Sequence, residues 1–188
     1  MSVLATGTPK PPTEVGEREG CKTGEEEALS GLRPWNFVLN VRAGTADLAG
    51  DGNEEMVLTD MRDIAKFVWR ALDLESWPEF LGMRGDVVSF RELISMLERV
   101  SGRKYLVRQN GLEALSEEGK ADPSKAFYNQ ARVQLARGWG MVGDDLNRAF
   151  PDIETVTCEH FIEKWWGGVG LPEPAWEESK TFGRQDFA

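Results

Sequence analysis

The spacing of apolar residues changes along this chain, and each change marks an element. Ile64, Phe67, Val68, Ala71 and Leu72 recur at helical intervals and form one apolar stripe. Asp60 stands before that stripe as its cap, with Asp63 in the first turn, so a helix is expected from Asp60 to about Leu74, ahead of Pro78. A second stripe comprises Phe90, Leu93, Ile94, Leu97 and Val100. Ser89 and Glu92 open it with a capping-box pattern, and Gly102 closes it. A third helix starts at Asp122-Pro123 and carries Phe127, Ala131, Val133 and Leu135 to about Arg137. Short β-leaning runs fall between these helices: NFVLNV (36–41), EMVLT (55–59), EFLGM (79–83) and KYLVR (104–108). Turn chemistry at Gly44 and at Gly50-Asp51-Gly52-Asn53 separates the first two runs. The stretch 138–157 reads as irregular with a short helical turn near Asp145 to Phe150, and CEHFIEKWW as a final short helix.

The pattern divides the chain into three parts. Residues 1–33 form a polar, Pro- and Gly-studded leader expected to be disordered, because it has too little apolar surface to offset ordering entropy. Residues 34–168 form one α/β domain, and 169–188 a loosely held tail. Composition then narrows the function. A net charge of −10 disfavours an extended nucleic-acid face, which needs clustered Lys and Arg. Two distant cysteines, Cys21 and Cys158, and one histidine, His160, leave no zinc or disulfide framework. The chain shows neither a secretory signal nor an apolar run long enough to span a membrane, so a cytoplasmic protein with no membrane partner is expected.

Gly138-Trp139-Gly140-Met141-Val142-Gly143 satisfies the spacing G-x-G-x-x-G. That spacing signals a dinucleotide only when it follows a strand and opens a helix. Here it follows a helix, and Asp144-Asp145 would put negative charge where a pyrophosphate sits. It reads as a turn that lets Trp139 and Met141 reach into a groove. No Tyr-x-x-x-Lys pair, nucleophile elbow, P-loop or zinc-protease motif occurs. Asp60 and Asp63 read as helix-start residues rather than an acid–base pair, and Lys66 with Arg70 as a solvated basic edge. Trp139, Phe150, Phe161, Trp165 and Trp166 form an aromatic group that suits either core packing or a partly open pocket.

TDMRDIAKFVWRAL and GDVVSFRELISMLERVSGRKYLV, with the later ARGWGMVGDDLNRAFPDIETVTCEHFIEKWWGG, resemble the NmrA-like, isoflavone-reductase-like branch of atypical short-chain dehydrogenase/reductases, fungal type. The resemblance runs from about Trp35 to Gly168 and covers only the C-terminal portion of that family. It implies an α/β fold taken from an NAD(P)-binding Rossmann-type protein, with a small mixed sheet, four to five helices and the first βαβ unit missing. It also implies NADP or NAD as the family's cofactor, bound by a G-x-x-G-x-x-G turn that has no counterpart in this sequence. No catalytic, cofactor-binding or metal position carries over. The expected substrate-pocket residues are Asp60, Trp139 and Met141. The function expected is that of a truncated NAD(P)-dependent oxidoreductase or dinucleotide sensor with little hydride transfer of its own. The alternative is a non-enzymatic regulatory or interaction module, acting through self-association or a protein partner. A small aromatic or carbonyl compound is the expected ligand.

Overall fold

In a computed structural model, the described residues are 37–176. They form two small sheets and six helices. β1 (Leu39–Asn40) pairs antiparallel with β2 (Thr45–Ala49), which pairs in parallel with β5 (Leu106–Asn110), in the order β1-β2-β5. β3 (Glu55–Leu58) and β4 (Asp86–Ser89) make a separate antiparallel ribbon. The helices are α1 (Met61–Ala71), α2 (Phe90–Ser101), α3 (Leu112–Ala121), α4 (Pro123–Leu135), α5 (Asp145–Ala149) and α6 (Cys158–Trp166).

Helix starts and stops follow local chemistry. Asp60 accepts from the Arg62 amide, Ser89 and Glu92 complete a reciprocal capping box, Asp122 accepts from the Ser124 amide, and Thr157 accepts from the His160 amide. α2 ends at Gly102, whose φ of 69° is the left-handed C-cap that glycine adopts without strain. The main core gathers Phe37, Leu48, Met56, Leu93, Leu97 and Ile162 between the sheets, α2 and α6. A second cluster joins Phe67 and Ala71 of α1 to Leu146 and Phe150.

Several elements differ from the sequence expectation. Six helices lie among the described residues, where four to five were expected. α3 was missed because no side chain caps it at Gly111 and Leu115 is its sole buried residue. β2 carries no strand signal in the sequence, because turn-forming Gly44 and Gly50 flank it and Asp47 interrupts its apolar run. All five of its residues are nevertheless buried, with Asp47 paired to Arg132 at 2.7 Å. β4 also went unread, and β5 lies two residues beyond the expected 104–108. EFLGM is no strand. Its backbone partners come from the α5 region instead, the Gly82 carbonyl accepting from the Leu146 amide and the Gly82 amide donating to Asp145. On α1, Val68 and Leu72 point outward, because fully buried Asp63 occupies the inner face.

The N-terminal leader, Cys21 and Trp35 lie outside the described residues, as does the tail beyond Trp176. The part of the tail up to Trp176 runs beside the turn between β1 and β2 and beside β5. The Ala175 amide donates to the Ala43 carbonyl, and Arg108 stacks on Trp176.

Candidate functional site

Among the described residues these elements enclose an open groove of about 540 Å³. Met56, Val57 and Leu58 of β3 form its base, Ile64 of α1 and Leu81 to Met83 one wall, and Ala131, Gln134 and Leu135 of α4 the other. Trp139, Gly140 and Val142 close one side. A volume of this order suits a small organic ligand.

The wall at 81–85 has no strand pairing and is tied in place by side chains. Arg84 donates from Nε to the Val142 carbonyl at 2.7 Å, and its own amide and carbonyl both bond the Asn147 side chain. Thr59 accepts from the Gly85 amide, and Thr155 donates to the Gly85 carbonyl. Fully buried Asp63 accepts from Lys66 and from the Val156 amide, both at 2.7 Å, which anchors α1 to the segment before α6. Sequence reading gave Asp63 only a helix-start role, and its burial depends on the distant Val156, which no local pattern reveals.

The glycine-rich turn has a structural task. The amides of Gly138, Trp139 and Met141 donate to the carbonyls of Leu135, Gln134 and Gly138, and the Gly140 carbonyl accepts from the Val57 amide of β3 at 2.9 Å. Gly140 passes so close to β3 that a Cβ there would lie 2.5 Å from the Met56 Cβ. Three amides that a phosphate would need are therefore already engaged, and the pattern does not fit a pyrophosphate cradle.

Of the three expected pocket residues, Trp139 stands on the groove rim, 74% exposed. Met141 belongs to the same turn but does not line the groove. Asp60 caps α1 one residue beyond Thr59 and pairs with Arg62 Nε at 3.0 Å. Burial acts to raise the Asp60 carboxyl, but hydrogen bonds from Arg62 outweigh it and hold the group below its ordinary value. The structure does not bring the aromatic group together. Phe161, Trp165 and Trp166 pack with the main core, Phe150 joins Phe67 in the second cluster, and Trp139 stands alone on the rim. Nor do Lys66 and Arg70 form a free basic edge. Lys66 pairs with Asp63, while Arg70 bonds Asp152 at 2.6 Å and lies over the Phe150 ring.

The side chains lining the groove include no ionisable group. Gln134 contributes a buried amide oxygen with no hydrogen-bond partner. Both tyrosines serve the core: burial pushes the Tyr105 hydroxyl up to about 12 and the Tyr128 hydroxyl well above its ordinary value, and Tyr128 donates to the Phe37 carbonyl. No cluster of metal ligands occurs among the described residues, and no helix among them is long and apolar enough to cross a membrane.

Comparison with known proteins places this geometry in context. No protein-family model matches the chain. "Oxidoreductase swnN" of the fungus Metarhizium robertsii is 26% identical over 151 residues, covering 70% of this chain and 44% of its own. The solved structure of AtPrR2 in apo form superposes with a TM-score of 0.53 at 16% identity, over 65% of this chain and 44% of that one. An isoflavone reductase crystal structure gives 0.51 at 16% identity, over 64% and 43%. The chain thus spans less than half the length of these relatives. Its fold matches part of the fold of these two solved structures, one an isoflavone reductase, in keeping with the resemblance read from the sequence.

Proposed function

We propose that this chain is the ligand-side part of an NAD(P)-linked oxidoreductase of the isoflavone-reductase type, with little hydride transfer of its own. The observation that carries this reading is a groove of ligand size whose lining side chains neither titrate nor present a phosphate cradle. Such a surface can hold and orient a compound but cannot itself donate or withdraw a proton. In a complete reductase, NAD(P)H supplies the hydride, and this chain's residues supply only the apolar seat. Trp139 offers a ring face on the rim, and the unpartnered Gln134 oxygen favours a ligand with a hydroxyl donor.

Two calorimetric titrations test the proposal. NADPH and NADH are expected to give no binding in the micromolar range, and micromolar binding of either would overturn the assignment of the turn. Genistein, an isoflavone with phenolic hydroxyls, is expected to quench tryptophan fluorescence, with about tenfold weaker binding for Trp139→Ala. Equal binding by the variant would remove the groove from the account.

A second reading, a non-enzymatic interaction module, draws on the outer face of α1. Met61, Val68, Trp69 and Leu72 all lie exposed there, with Trp69 72% accessible. A concentration-dependent increase in sedimentation coefficient, abolished by Trp69→Lys, would favour it. A monomer at all concentrations that draws no partner through this face would count against it.

A further inference from the structure

Met56 and Leu135 also line a second, smaller cavity of about 300 Å³. Most of its remaining wall is apolar, from Val38, Phe90, Leu112 and Ala136. Its charged lining residues are Asp51, Glu54 and Arg132, and of these Arg132 is the buried one, only 4% exposed. Its guanidinium is divided among the surrounding elements. Nη1 donates to the Asp47 carboxylate at 2.7 Å and to the Asp47 carbonyl at 3.1 Å, and Nη2 donates to Asn129 at 2.8 Å. Asn110 of β5 supports Asp47 from the other side at 2.8 Å. Arg132 Nε is buried with no acceptor.

The chemistry of the missing partner follows from charge. Asp47 already balances Arg132, so an anionic ligand would be left with an uncompensated buried charge. Asp51 and Glu54, also in the cavity wall, would repel one further. With Nη1 and Nη2 each already bonded, Nε is the guanidinium nitrogen left without an acceptor. A neutral acceptor oxygen satisfies it, and hydrocarbon fills the rest.

We propose that this cavity is a binding site for a small, neutral, largely apolar molecule carrying one acceptor oxygen of the carbonyl type, received by Arg132 Nε. The site is distinct from the groove and does not depend on the reading given above. Acetophenone and ethylbenzene, alike in shape apart from the carbonyl oxygen, are suitable probes on the full chain. In ¹⁵N-resolved NMR titrations, acetophenone is expected to shift the Arg132 Nε–H signal and to bind about tenfold more tightly than ethylbenzene. Ala136→Phe, which fills the cavity without touching the Asp47–Arg132–Asn129 network, should weaken acetophenone at least tenfold. Leu112→Trp fills it from α3 and serves if the first variant does not fold. Trp139→Ala, on the groove, should leave acetophenone binding unchanged. Equal affinity for the two probes, an unmoved Arg132 signal, no binding of either at millimolar concentration, or loss with Trp139→Ala alone would each overturn the proposal.

Discussion

The main core and the groove-side cluster are built in different ways. Around Leu93, Leu97 and Ile162, helix faces and strands interlock through apolar surface. Around Phe67 and Phe150, a much smaller apolar cluster is supplemented by single hydrogen bonds that tie the irregular wall at 81–85 to α5. The first arrangement resists change at one position through many neighbours. The second depends on a handful of directional bonds, and those bonds position one wall of the groove. Stability and ligand access are thereby assigned to different residues.

The largest expected effect is in the core. Leu93→Ala, at a fully buried position of α2, should cost about 2–5 kcal/mol, read from the urea midpoint with an unchanged slope. Asn147→Ala removes both bonds to the Arg84 backbone and should cost about 1–3 kcal/mol. Its main signature should be faster amide exchange at residues 81–85, with exchange in α2 unchanged. Equal acceleration in both regions would dissolve the contrast between them.

The physical basis of that contrast also explains what the sequence revealed. α1, α2, α4 and α6 announced themselves through Asp60, Ser89 with Glu92, Asp122-Pro123 and the CEHFIEKWW run, because capping and apolar spacing act within one turn. β2 was illegible because the partner that makes Asp47 tolerable in a strand is Arg132, 85 residues away. EFLGM carries a strand-like composition, yet the Gly82 backbone within it is satisfied by Asp145 and Leu146, which no local pattern could foretell. Trp139 was legible as a groove residue through its neighbouring glycines, whereas Ile64, Thr59 and Gln134 join the groove only through tertiary packing.

Acid sharpens the comparison further. A hydrogen bond from the Gly82 amide holds the Asp145 carboxyl below its ordinary value, and one from Arg70 does the same for Asp152. A carboxyl depressed in the folded state contributes stability that is present above the unfolded pKa and lost as pH falls through the folded one. Gly82 exchange protection should therefore be constant from neutrality down to the ordinary aspartate range and decline below it, ahead of protection in α2. Simultaneous loss in both regions would contradict this. The smallest effect concerns reactivity. Burial, aided by the Asp86 charge, pushes the Cys158 thiol up to about 12, so alkylation mapped to Cys158 should be negligible in the native protein at pH 8 and rapid in urea.

The bond between Val57 and Gly140 makes the glycine turn a hem along β3. To offer the amides of Gly138, Trp139 and Met141 to a nucleotide, the turn would have to let go of the carbonyls of Gln134, Leu135 and Gly138 and refold beside the ribbon against which Gly140 is pressed. Ligand seat and phosphate cradle are thus mutually exclusive uses of one stretch of backbone. Point mutation alone would not convert the first into the second without baring a strand border to solvent.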